Sequence, residues 1–445
     1  MGERHSTTIS PDFDRRIKIH FTGATATSDA GTLMLAEMAD RLGLIRDLAG
    51  KLHDPRNPVF TVHTMESLLA QRIHSIAAGY EDGDDSDDLR DDPALKAASG
   101  KREEDVGLAS QPSVSRLENN LLRLGGNLKM LEDANLEWAL LPYLIKGRKR
   151  IYLDADSYES PVHGGQEGSA YNGYYKSDCY HPLVLHDGYG SKLKIRLRPG
   201  NVHTADGVVS FMEPVFKKLI SAGLTLIITG DSGLADPKYF KQCERHRATY
   251  YIRLRTNDAL ARKAPELYDP PRGRPSKNPK VRYRSFHYKA ATWDHYRRVV
   301  AKSTLEPGEL FPNVYFMVTN DPTCAPKEAF RRYGLRRGRA EQRNDEGKNH
   351  TFATRLSCHE EKANAVRLQL YTLAYNMLNL FRLLALRGKA ARWTINTIRL
   401  RLIKIGARVT RHSNYIHYLF AAGPRLRRKV AGIFDRILLL PAPAG

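Results

Sequence analysis

Between residues 150 and 254 strand-like and helix-like patterns follow one another in an order that admits few folds. Runs 150–156, 180–186 and 193–198 are apolar or alternating and rich in β-branched and aromatic residues, the pattern of strands. A glycine turn joins the last two as a hairpin. Over 205–222, Val208, Phe211, Val215 and Leu219 recur at helical spacing. A buried strand over 224–230, a helix over 237–244 and a strand over 248–254 complete the series. Three strands, then helix, strand, helix, strand predict an α/β fold.

Carboxylates mark the strand ends. Asp154 and Asp156 are two apart, so both side chains leave the same face of their strand. Such a pair repels and calls for a cation. Asp231 directly follows the strand over 224–230. The order of elements resembles that of the RNase H-like fold, and the resemblance implies a mixed sheet flanked by helices, its first three strands antiparallel, with acidic residues meeting at the ends of the first and fourth strands. Carboxylates of this kind, with one more from a helix, suit a pair of hard cations, Mg²⁺ or Mn²⁺. Two such ions serve in-line substitution at a phosphodiester. The third carboxylate is sought downstream, where Arg337 and Glu341 share a helix face, as do Glu341, Asp345 and Lys348.

The net charge of +21 points to a polyanionic partner, most often nucleic acid. From Ala363 to Phe434 there is no Asp or Glu, while Arg399, Arg401, Lys404 and Arg408 stand among many cations. Helices are expected over 360–386, 393–405 and 428–440, presenting a phosphate-contacting surface backed by core. Helices are also expected over 32–39 and 64–73. A turn at Pro112-Ser113 before a helix carrying Arg116 suggests helix-turn-helix geometry. Residues 255–320 break the pattern with a Pro-rich basic loop and three strand-like runs, a β-rich insertion expected to cover the site. The four cysteines lack metal-ligand spacing and read as ordinary thiols. With no apolar run of membrane length and no signal-peptide core, a cytoplasmic, nucleoid-associated protein is expected.

Ordered motifs bring these features together: Leu153-Asp154-Ala155-Asp156, Pro161-Val162-His163-Gly164-Gly165-Gln166-Glu167-Gly168, Gly173-Tyr174-Tyr175, Arg196-Leu197-Arg198-Pro199-Gly200-Asn201, Gly230-Asp231-Ser232-Gly233 and Arg337…Glu341…Lys348. With Thr27-Ser28-Asp29-Ala30-Gly31 and Leu108-Ala109-Ser110-Gln111-Pro112-Ser113 upstream, the chain resembles the bacterial insertion-sequence DDE transposases that carry a Tyr-Arg-Glu-Lys signature. The resemblance implies catalytic and metal-holding residues Asp156, Asp231 and Glu341, with Asp154 a rival for the first position. Asp156 is favoured because it lies nearer the strand end. Arg337, Arg343 and Lys348 are expected at DNA phosphates, together with Arg116 and the C-terminal cations. Three residues lie between Tyr333 and Arg337, where the family has two. Implied partners are double-stranded DNA (terminal inverted repeats and target) and a second copy of the chain. The expected layout is a helical DNA-binding region (1–147), the first part of the RNase H-like core (148–254), the β insertion (255–325), the end of the core with the Glu helix (326–387) and a basic helical region (388–445). Alternative functions are an RNase H-like nuclease without strand transfer and a catalytically silent DNA-binding relative.

Overall fold

A computed structural model of the protein describes residues 11–14, 16–20, 25–102, 105–263, 277–334 and 345–442. Its centre is an eight-stranded sheet. In chain order the strands are β1 (Arg150–Ser157), β2 (Leu183–Asp187), β3 (Lys192–Arg196), β4 (Thr225–Gly230), β5 (Thr249–Leu254), β6 (Lys280–Tyr288), β7 (Arg297–Leu305) and β8 (Asn313–Thr319). They lie in the order β6-β7-β8-β5-β4-β1-β2-β3. β1, β2 and β3 pair antiparallel, whereas β4 and β5 run parallel to β1. The parallel steps need crossovers, supplied by helices Val208–Ser221 and Pro237–Arg245.

The pleat of β1 separates two chemistries. Ile151, Leu153 and Ala155 are fully buried in one cluster with Phe211, Val215, Tyr239 and Phe240 of the crossover helices. The alternate residues Asp154 and Asp156 leave the other face. There Val184 of β2 and Ile195 of β3 join a second cluster built on helix Glu361–Leu384 and the N-terminal helices.

β3 is a sheet edge, and Glu361–Leu384 covers it with amides. Asn376 Oδ1 accepts from the Lys192 N–H (2.9 Å), Asn376 Nδ2 donates to the Lys192 carbonyl (2.9 Å), and Gln369 Nε2 donates to the Ile195 carbonyl (3.0 Å). Positions 369 and 376 are two helical turns apart and so face the same strand. The edge is closed to further pairing without another strand.

Several expectations change. The strand expected over 180–186 is split: Ser177–Tyr180 belongs to a small separate sheet, and β2 starts at Leu183. Pro182 lies between them and has no N–H for a ladder. The 255–325 segment does supply three strands, but β8 pairs with β5, so they widen the central sheet in its own plane. Residues 105–110, directly before helix Gln111–Asn119, are not helical, and the described helix that precedes them ends at Ala98, so the short turn of a helix-turn-helix is not formed there. Within 393–405 a helical run covers 395–403, an α-helical turn Ile395–Ile398 that continues directly as a π-helical turn Arg399–Ile403. A hairpin follows, Ala407–His412 with Tyr415–Phe420, whose first strand pairs with Ala26–Thr27. The last helix runs Pro424–Leu438, begun by a proline whose missing N–H costs nothing in a first turn.

Candidate active site

The parallel pairing of β1 with β4 fixes where the carboxylates stand. Asp154 lies opposite Thr229, and Ala155 opposite Gly230. One step further on, where the pairing ends, Asp156 and Asp231 leave neighbouring strands side by side. Both are half-buried. Asp231 Oδ1 accepts from the Gly233 N–H (2.9 Å), and Asp156 Oδ1 from the Ser157 N–H (2.9 Å). A Cβ at position 233 would meet Asp231 Oδ1 at 3.1 Å and Thr204 Cβ at 3.2 Å, so the tight turn after Asp231 suits glycine. Ser157 Oγ lies 2.8 Å from Thr204 Oγ1, tying the β1 end to the loop before Val208–Ser221.

Asp154 sits in a different setting. It is buried, with His186 of β2 on one side and Thr229 of β4 on the other. The register therefore separates the two aspartates that sequence spacing left as rivals: Asp156 is the one beside Asp231.

Further polar groups stand around this end of the sheet, among them Tyr175 of the Gly173-Tyr174-Tyr175 motif and Lys192, which the sequence did not single out. Burial, then the charges of Glu159 and Asp156, push the Tyr175 phenol up. Tyr175 packs edge-on against Tyr174 (5.1 Å) and His181 (5.9 Å).

Lys192 of β3 lies in the same row across the sheet as His186 and Asp154. Its Nζ lies 4.8 Å from the Tyr375 ring centre and so close to the backbone at Gly347 that a Cβ there would stand 2.0 Å from it. Burial, reinforced by Lys348 and opposed by Glu346, brings its pKa down to about 7. Glu346 is held by Arg382 (3.1 Å). This lysine has a testable effect on stability. Its folded pKa lies below the ordinary value near 10.4, so the unfolded chain binds more protons between pH ~7 and ~10. Its contribution then rises with pH across that window. In urea unfolding, wild type should gain on Lys192→Met by about 1.4 kcal/mol per pH unit there. A difference independent of pH would contradict the assignment.

The expected site residues divide. Lys348 is half-buried, its Nζ 5.0 Å from the ring centre of Tyr158, two residues past Asp156. Arg337, Glu341 and Arg343 lie outside the described residues. Tyr333 is buried beside Tyr251 and Met317. Arg116, Arg401 and Arg408 are exposed. Arg399, expected at DNA, is buried instead: its guanidinium donates to the carbonyls of Ala77 (3.0 Å), Ile76 (3.3 Å) and His350 (2.5 Å), closing the C-terminus of helix Met65–Ala78. Lys404 is tied to Asp29 (2.8 Å) over the Tyr80 ring (3.7 Å).

Among the described residues no group of three or more His, Cys, Asp and Glu stands together as a metal site. Asp156 and Asp231 are a pair of hard oxygen donors, and the position expected for the third, Glu341, is not among those residues. The donor types fit Mg²⁺ or Mn²⁺.

A piggyBac transposase in a synaptic complex with hairpin DNA is similar over 94% of this chain and 87% of its own, at 12% identity and a TM-score of 0.42. No curated protein matches the chain. The sequence profile of the family described as transposase DDE domain group 1 matches residues 9–442. That span is nearly the whole chain, and the protein belongs to this family of DDE transposases.

Proposed function

We propose that the protein is a DNA transposase that cuts and rejoins phosphodiesters at the ends of a bacterial insertion sequence, on an RNase H-like core, with Asp156, Asp231 and Glu341 as its catalytic carboxylates. The observation that carries this reading is the parallel register of β1 and β4, which ends with Asp156 and Asp231 on adjacent strands. Sheet order and strand directions around β1 are those expected of that core.

In this reading two divalent ions, Mg²⁺ or Mn²⁺, when bound, activate the attacking oxygen and stabilise the leaving one. Asp156 and Asp231 would hold these ions, because the pleat turns both to one face and the turn at Gly233 fixes the second. Asp154 stays in the row with His186 and supports the strand. Lys348 and Arg337 neutralise phosphates beside the cut, and the exposed Arg116, Arg401 and Arg408 meet the duplex backbone. Two ends have to be brought together, so two copies of the chain act in the DNA complex.

The test is incubation of the purified protein with its own element ends, a target plasmid and Mg²⁺. Excised ends joined to the plasmid are expected. Cleavage without joined products would support a nuclease, and DNA binding without cleavage a silent relative.

A further inference from the structure

A second feature shares the carboxylates' face and end of the sheet. Continuing the register one step past Ala155, Gly230 and Ile252 puts Asp156, Asp231 and Arg253 at one level on the neighbouring strands β1, β4 and β5. Arg253 pairs with Met317 of β8, and two residues nearer the same end of β8 Tyr315 pairs with Lys302 of β7, which pairs with Tyr283 of β6. Residues directly opposite one another in a sheet share a face. Arg253, Tyr315, Lys302 and Tyr283 therefore continue the line begun by the carboxylates.

Helix Pro326–Gly334 packs over these residues and closes a cavity of about 590 Å³, to which it adds Lys327 and Arg331. Arg253 lies 5.1 Å from the Tyr315 ring centre, and Tyr283 is tilted against Phe330 at 5.8 Å. Four cations line the cavity against one carboxylate, Glu328, which Arg331 (2.5 Å) and Arg332 (3.2 Å) already hold. The cavity therefore has cationic charge left over and planar rings at its wall. Those are the two properties that hold a nucleotide: a phosphate on the cations and a base on an aromatic or guanidinium face.

We infer that this cavity binds nucleotides of one strand of the DNA end on which the carboxylates act. The inference rests on the transposase reading. At about 4.8 Å per strand, Arg253 is about 10 Å from Asp156 and Tyr283 about 24 Å. At about 3.4 Å per nucleotide, that is about three to seven nucleotides from the cut. The stripe thus sets which part of the end is gripped, and its pull keeps the strand running across the sheet at the carboxylates.

The test uses the full chain and duplexes of its own element end, with 2-aminopurine placed singly at each of these positions. Wild type should change the fluorescence at one or two of them. Tyr315→Leu, which keeps an apolar side chain, should remove that change and weaken end binding about tenfold. Arg253→Gln and Lys302→Gln should each lower the slope of log affinity against log salt by about one. An unchanged fluorescence response in Tyr315→Leu, with unchanged slopes in the other two, would overturn the inference while leaving a wild type that cuts its ends as a transposase. A wild type that binds no DNA would overturn both.

Discussion

Asp231→Asn should lower strand cleavage in Mg²⁺ by about 10³-fold or more and leave DNA affinity within about twofold. The magnitude follows from losing one metal-holding carboxylate, worth several kcal/mol at the transition state, at about 1.4 kcal/mol per factor of ten. Asn keeps the size of the side chain, and its amide oxygen can still accept from the Gly233 N–H, so the turn should survive. Asp156→Asn should behave alike, because the register brings it beside Asp231. Asp154→Asn is the discriminating companion. Its place between His186 and Thr229 predicts a loss of less than about tenfold, through the strand and not through the metal. Equal losses at 154 and 156, measured as single-turnover cleavage, would remove the distinction drawn from the register.

The second large effect is on stability. Glu118 and Arg72 are each about 1% exposed and paired at 2.6 Å; Arg367 reaches the same carboxylate at 2.9 Å. Arg72 also donates to the carbonyls of Glu81 (2.8 Å) and Asp82 (3.2 Å). The cluster joins helices Met65–Ala78, Gln111–Asn119 and Glu361–Leu384, and the last of these backs the catalytic sheet. Burial pushes the Glu118 carboxyl up, but Arg72 and Arg367 outweigh it and hold the group below its usual range. Glu118→Ala would leave two guanidiniums without their shared anion and should cost about 3–5 kcal/mol in urea unfolding. Because the folded pKa is depressed, the wild-type contribution is complete above the unfolded value near 4.3 and is lost as pH falls through the folded one. Wild type and Glu118→Ala should therefore converge in acid. A cost under about 1 kcal/mol at neutral pH would mean the cluster is not holding the helices together.

Much of the sheet was legible because its signals are local. Periodicity marked β1, β4 and β5 and both crossover helices, and an α/β order constrained how they pair. Asp231 was legible as a strand-end carboxylate for the same reason. Which of Asp154 and Asp156 stands beside it depended on register, a relation between strands that one strand's own pattern does not contain. Lys192 was missed because it reads as an ordinary strand residue; only the approach of Gly347 and Tyr375 from distant parts of the chain makes it a buried cation. Arg399 was misplaced for the converse reason. A count of charges ignores burial, and Arg399 ends at helix carbonyls, not at solvent. The Tyr415–Phe420 strand did carry a signal, aromatic and β-branched residues after a Ser-Asn turn, but the charge pattern around it favoured helix. The strands from 280 to 319 were recognised singly, yet their joining β5 is a long-range pairing.

The central claim is that Asp156 and Asp231 form one divalent-cation site from two neighbouring strand ends. Mn²⁺ binding followed by electron paramagnetic resonance tests it without any DNA reaction. Wild type and Asp154→Asn should bind Mn²⁺ alike, whereas Asp156→Asn and Asp231→Asn should each weaken binding by about tenfold or more. Binding that survives in Asp156→Asn or Asp231→Asn, or that is lost only in Asp154→Asn, would contradict the site.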